Sequence, residues 1–255
     1  MRFASLGSGS EGNALLVEVA GTRLLMDCGF GLNDSIARLA RLDISPEQLD
    51  GILVTHEHGD HSGGVARLAR KFGLPVWLTH GTLRSLSDKL SGVDLIREID
   101  PHRPFTIGDI EITPYPVPHD AAEPVQFAFG DGARRLGVLT DVGSSTPHIE
   151  AVLGGCDALV LECNHDSDML MNGDYPWSLK QRVGGRYGHL NNRDAAAILS
   201  RLDRDRLQHL VAAHLSRSNN TAELAVAELS GVLGCEAGWV TVATQQEGFG
   251  WREIR

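Results

Sequence analysis

Two periodicities divide the apolar residues of this chain. Short runs rich in leucine and valine, bounded by glycine or polar turns, predict strands over 2–6, 14–19, 23–26, 52–55, 76–78, 158–161, 207–213 and 240–243. Two hairpins are predicted: 105–117 turning about Gly108-Asp109, and 125–129 with 135–140 across Gly130-Asp131-Gly132. Helical spacing predicts helices over 33–42, 62–73, 81–90, 147–153, 192–202 and 221–233, and Ser45-Pro46-Glu47-Gln48 reads as a capped helix start. The stretch 167–188 is polar and aromatic without a clear period, which predicts a functional loop or lid. Strands with interleaved helices, twice over and with no linker or repeat, predict an α/β fold of two sheets packed face to face with helices outside. Residues 1–255 then form one domain.

Gly7-Ser8-Gly9-Ser10-Glu11-Gly12 matches the glycine spacing of a dinucleotide loop, with Asp27 twenty residues beyond Gly7. That fingerprint needs a helix to open at the glycines, and 14–19 reads as a strand, so the Rossmann reading fails. The loop is expected to be a tight turn or a backbone approach to a phosphate.

Composition narrows the class. With 255 residues, 42% apolar and 22% charged, the chain has the profile of an ordinary soluble globular protein. No apolar run reaches membrane-span length, and the first residues lack a basic-then-apolar signal pattern. Four separated cysteines (Cys28, Cys156, Cys163, Cys235) suggest neither a disulfide framework nor a zinc knuckle, so a cytoplasmic location is expected. The formal charge of −10 argues against general nucleic-acid affinity. It is uneven: eight basic and three acidic residues make 178–217 a window of +5 against −15 elsewhere, which predicts a local phosphate-facing patch.

The candidate chemistry centres on His56-Glu57-His58-Gly59-Asp60-His61, between a predicted strand and helix. Three imidazoles and a carboxylate at one turn suit first-row metals: His56 and His58 can take one ion, Asp60 and His61 a second. A dinuclear site needs more ligands, and His119, Asp141 and His214 each leave an apolar strand at its exit. A histidine in such a place is ordinarily structural. Together with the central motif, these three complete two trios: His56, His58 and His119, and Asp60, His61 and His214. Asp141, with an oxygen for each ion, is the expected bridge between metals about 3.5–4 Å apart, and water between them would become the nucleophile. Asp60 could also orient that water. His165 and His189, in polar segments, are candidates for proton donation to a leaving oxygen or for phosphate contact; His189, just before a helix and inside the basic window, is favoured as the acid or phosphate contact, and His165, between Asn164 and Asp166, as a support or secondary contact. Arg182, Arg186 and Arg217 are candidate phosphate contacts.

The order His-x-His-x-Asp-His, His119, Asp141, His214 resembles the metallo-β-lactamase superfamily over essentially the whole chain. The resemblance implies an αββα sandwich with a dinuclear site at one edge. More narrowly, several segments are similar to the WalJ/YycJ group of bacterial hydrolases: Ser5 to Asn13, Pro118 to Pro124, Glu162 to Asp166, Tyr175-Pro176-Trp177, Gly188 to Asn192 and His214-Leu215-Ser216. That likeness implies metal-dependent 5′-to-3′ exonuclease activity on DNA, with two zinc or manganese ions. Within those segments Ser8, Asn13, Asn192 and Ser216 are candidate substrate contacts. Leu190 stands where RNase Z enzymes carry a hydroxyl residue, and the chain has no room for the inserted domain of the RNase J type. A cyclic-phosphate or other small-molecule phosphodiesterase is the alternative, and a scaffold role a distant third. The expected partner is DNA, with no membrane, and homo-oligomer formation stays open.

Overall fold

The computed structural model describes residues 1–255. One mixed sheet holds β1 (Arg2–Gly7), β2 (Ala14–Val19), β3 (Thr22–Met26), β4 (Gly51–Leu53), β5 (Val76–Thr79) and β6 (Ile96–Ile99) in that order, with β14 (Phe249–Glu253) beside β1. The second runs β7 (Phe105–Ile107), β8 (Ile110–Pro116), β9 (Val125–Gly130), β10 (Arg135–Leu139), β11 (Ala158–Glu162), β12 (His209–Ala213) and β13 (Val240–Val242). In the first sheet β3 to β6 are parallel, and in the second β10 to β13 are.

Strand alternation builds the layers. Leu24 faces the second sheet and Leu25 the outer helices; Phe127 and Phe129 point inward and Ala128 outward. The central layer therefore joins Phe3, Val17 and Leu24 to Ile112, Phe127 and Val160. Outside the first sheet lie α1 (Leu32–Ala40), α3 (Val65–Phe72) and α4 (His80–Leu86), burying Leu39, Leu68 and Leu86. Outside the second lie α5 (Pro147–Leu153), α8 (Asn192–Arg201) and α9 (Ala222–Leu233), burying Ile149, Leu199 and Leu229. This is the expected αββα sandwich. Parallel strands covered on both faces read as unbroken apolar runs, as 158–161 does.

Two expectations need correction, and two strands carry no signal in the sequence. The helix expected over 62–73 is two pieces, α2 (Gly59–Ser62) and α3, with Gly63 and Gly64 between. A side chain at Gly64 would place Cβ 1.9 Å from the Phe30 carbonyl, so this close approach demands glycine. The stretch 167–188 contains α6 (Ser167–Asn172), capped by Asp166, and α7 (Trp177–Val183). No residue of α7 is buried, so its period never appears as hydrophobicity. Finally, β6 and β14 are sheet edges whose exposed Arg97, Glu98, Arg252 and Glu253 conceal the strand pattern.

Candidate metal centre

Six strands send their C-terminal exits to one edge of the sandwich: β3 to Asp27, β4 to Thr55 and the histidine motif, β8 to His119, β10 to Asp141, β11 to Glu162 and β12 to His214. Asp27, Asp141 and His214 have φ of 61°, 52° and 57°. This left-handed backbone is uncommon outside glycine and turns each chain abruptly at the strand end, where strain is characteristically tied to function.

Outer partners fix which ring nitrogens face inward. The Asp27 carboxylate accepts from the Thr55 amide and hydroxyl, each at 2.9 Å, and from His61 Nδ1 at 2.7 Å. The hydroxyl proton is thereby committed, so Thr55 Oγ1 accepts from His56 Nδ1 at 2.9 Å. His119 Nδ1 donates to the Gly188 carbonyl at 3.1 Å. His56, His61 and His119 therefore turn Nε2 lone pairs toward the centre, the arrangement that orients imidazoles for metal.

The donors fall into three groups, of which the last two overlap: His56, His58 and His119; Asp60, His61, Asp141 and His214; and Asp141, Glu162, His189 and His214. Asp141 belongs to the last two groups and approaches the first, Oδ2 lying 3.0 Å from His61 Nε2 and Oδ1 3.5 Å from His214 Nε2 and 4.0 Å from His119 Nε2. A cation fits this donor set. His56 Nε2 and Asp141 Oδ2 are buried with no hydrogen-bond partner, and the His61 lone pair faces a carboxylate at a distance that is repulsive unless positive charge intervenes. Without an ion the histidines supply that charge. Burial would lower the His61 imidazole, but Asp141 and Asp27 hold it well above its ordinary value. Burial, reinforced by His61, drives His56 well below.

A cleft of about 340 Å³ opens over these groups, walled by Tyr175, Arg182, His189 and Ser216 among others. His189 Nδ1 pairs with Glu162 Oε1 at 2.8 Å, and Arg182 Nε donates to Asp120 Oδ2 at 2.6 Å.

Several expected contacts stand elsewhere. Ser8 Oγ accepts from the His214 amide at 2.9 Å and donates to Asn13 Oδ1, while Asn13 ties the Gly9 amide and turns its own amide nitrogen to His61 Nε2 at 3.2 Å and Asp60 Oδ2 at 3.3 Å, so both brace the centre from behind. Asn192 is buried against Asn220. Arg217 pairs with Glu11 at 3.1 Å, and Arg186 lies by Tyr187 in a separate depression. His165 does not line the cleft, because its side chain leaves the β11 exit on the other face from Asn164, which does. Nor does the basic window form a patch: Arg201 pairs with Glu150, Arg206 with Asp157 and Arg193 with Glu228, and Arg182 is its only lysine or arginine lining the cleft. Asp27 and Glu162 went unrecognised in the sequence as parts of the centre, though each sits at a strand exit as Asp141 does.

The family description "Beta-lactamase superfamily domain" matches residues 22–214. The chain is 39% identical over 241 residues to exodeoxyribonuclease YycJ of Bacillus anthracis, covering 91% of this chain and 89% of that protein. It is 35% identical over 228 residues to exodeoxyribonuclease WalJ of Streptococcus pneumoniae serotype 2, covering 88% and 85%. The crystal structure of the metallo-β-lactamase fold protein YhfI from Bacillus subtilis superposes with a TM-score of 0.77 at 19% identity, covering 98% of both chains. No helix is long and apolar enough to cross a membrane. With histidines and carboxylates gathered at the strand exits and this kinship over most of its length, the chain belongs to the metallo-β-lactamase superfamily of metal-dependent hydrolases, in the group of the YycJ and WalJ proteins.

Proposed function

We propose that this hydrolase cleaves the phosphodiester bonds of DNA as a 5′-to-3′ exonuclease, with two divalent ions, zinc or manganese, as cofactors. The observation that carries the reading is the position of Asp141, whose two oxygens lie within reach of both histidine groups under one open cleft. The printed activity of the YycJ and WalJ relatives supports DNA as the substrate. His56, His58 and His119 would hold one ion and Asp60, His61 and His214 the other, with Asp141 shared. Ions bound there supply Lewis acidity and an activated water.

The chain's own groups do the rest. Asp60 can accept a hydrogen bond from a water in the cleft and aim that water at phosphorus. Arg182 spends Nε on Asp120 and keeps its terminal nitrogens for a phosphate oxygen. His189, held by Glu162, can deliver a proton to the leaving oxygen.

One observation favours a second reading, a small-molecule phosphodiesterase: the net charge is −10 and several arginines of the basic window are spent on internal ion pairs. One experiment separates them. Metal-loaded protein is given 5′- and 3′-labelled DNA, RNA, cyclic nucleotides and bis(4-nitrophenyl) phosphate over a salt series, with bound metal counted. The nuclease reading expects stepwise shortening from the 5′ end and affinity that falls steeply with salt. Turnover of cyclic nucleotides with intact DNA and little salt dependence would replace it with the second.

A further inference from the structure

A second cavity, of about 230 Å³, lies across α7 from the metal centre. The helix is the partition. Leu179, Arg182 and Val183 line the metal cleft, whereas Trp177, Lys180, Gln181 and Gly184, one helical face at spacings of three and four, line the second cavity. Its floor is His165, only 2% exposed. His165 Nδ1 lies 3.4 Å from Asn164 Oδ1, and Nε2 has no protein partner. Burial holds this imidazole below its ordinary range, so Nε2 is a neutral, unused acceptor. At the mouth Trp177 is 61% exposed and Met171 50%, and neither belongs to the core. Lys180 adds a positive charge, its ammonium resting on the Met171 carbonyl at 2.8 Å. Gly184 keeps the space open: a Cβ there would stand 3.4 Å from Leu170 Cδ2 and 3.9 Å from His165 Nε2.

We propose that this cavity is a nucleobase subsite, which takes one unpaired base of the substrate strand while a neighbouring phosphate occupies the metal cleft. The base stacks on Trp177, donates an N–H to His165 Nε2, and leaves its own phosphate near Lys180. The inference rests on the nucleic-acid reading above. The chemistry of the floor selects this class. A phosphate or carboxylate there would meet a lone pair instead of a donor, and an aliphatic ligand would leave Nε2 unsatisfied. Every base carries an N–H on its pairing edge and a flat face for the indole, so the subsite reads little sequence. Because pairing would occupy that N–H, the subsite favours a frayed or single-stranded end over a blunt duplex.

The test uses metal-loaded protein carrying Trp177→Ala or Gly184→Leu, the second of which fills the cavity and leaves the indole in place. The substrates are a single-stranded oligodeoxynucleotide and the base-free bis(4-nitrophenyl) phosphate. Stacking of one base predicts that Trp177→Ala raises KM for the oligonucleotide about 5- to 150-fold. Gly184→Leu should raise it too, and both variants should turn over the base-free ester as the unsubstituted protein does. A second readout needs no cleavage: dAMP should quench tryptophan fluorescence where deoxyribose 5-phosphate does not, and Trp177→Ala should abolish the difference. Oligonucleotide cleavage with unchanged KM in both variants overturns the subsite alone. Unchanged KM with a loss of self-association in Trp177→Ala, read by light scattering, makes the face a contact between copies and likewise overturns it. Quenching by dAMP without cleavage of any oligonucleotide overturns the nuclease reading and the substrate-strand assignment together, leaving a free nucleotide as occupant.

Discussion

His61 and Asp27, 34 residues apart in the chain, meet at 2.7 Å through Nδ1 and Oδ2. The same carboxylate takes both donors of Thr55, whose hydroxyl in turn orients His56. One acidic side chain thus sets two inward lone pairs. Asp27→Asn would place an amide nitrogen against at least one of these donors and release a ring to flip. Metal affinity should fall about 10- to 100-fold with circular dichroism unchanged. Calorimetric titration with zinc checks this, and unaltered affinity would remove Asp27 from the account.

Asp60 offers a sharper separation of chemistry from folding. Its side chain faces His61 and His214, each at 3.4 Å, whereas its backbone carbonyl receives the Asn13 amide at 2.8 Å. Asp60→Ala deletes the first set and keeps the second. Turnover should collapse while the thermal midpoint of the chelated protein moves by only a few degrees. Near-normal turnover in a folded variant would count decisively against the proposed site.

The histidines make metal loading dependent on pH. Burial alone would drive His214 down, but Asp141, Asp60 and Glu162 surround it and push it up to about 10. A raised pKa stabilises the fold fully below the ordinary 6.5 and is lost as pH rises through the folded value. Chelated protein should therefore lose stability between about pH 6.5 and 10, visible as a falling denaturant midpoint. Divalent metal should bind with proton release, gain affinity over the same range and reverse that loss, by about 2.7 kcal/mol at a hundred times Kd. A metal-bound protein with the same pH profile as the chelated one would refute the linkage.

Much of the centre was legible because its densest part is local. Six consecutive residues carry three imidazoles and two carboxylates, and the strands before His119, Asp141 and His214 are apolar enough to be seen. Asp27 and Glu162 carry no such signal, since an acid at a strand end acquires its role only when a histidine from another strand arrives. Charge misled for the same reason. The window 178–217 is basic along the chain, yet Arg201 and Arg206 are spent on Glu150 and Asp157, contacts made only by folding. The flanking residues already favour His189 over His165 as the acid, and the structure gives the physical reason, which is the wall of α7 that each faces.

That difference makes His189 the proposed donor to the leaving oxygen. His189 Nδ1 donates to Glu162 Oε1 at 2.8 Å, and its partner is fully buried and also accepts from the Val142 and Leu190 amides, each at 3.1 Å. Burial would deprotonate His189, but Glu162 outweighs it and holds the imidazole above its ordinary value, so a proton is available on the ring facing the cleft. An alkoxide departing from phosphorus benefits from such a donor by about 10²–10⁴-fold, equivalent to roughly 3–5 kcal/mol of barrier. A nitrophenolate needs little help. His189→Ala should therefore cost about that factor on an ordinary phosphodiester and far less on bis(4-nitrophenyl) phosphate, with metal content unchanged. Glu162→Gln should show the same selectivity in weaker form, and lower the upper pH limit of activity as the proton is held less tightly. Equal losses on both substrates would make His189 a phosphate contact. Loss of metal would make it a ligand, as its grouping with Asp141, Glu162 and His214 permits.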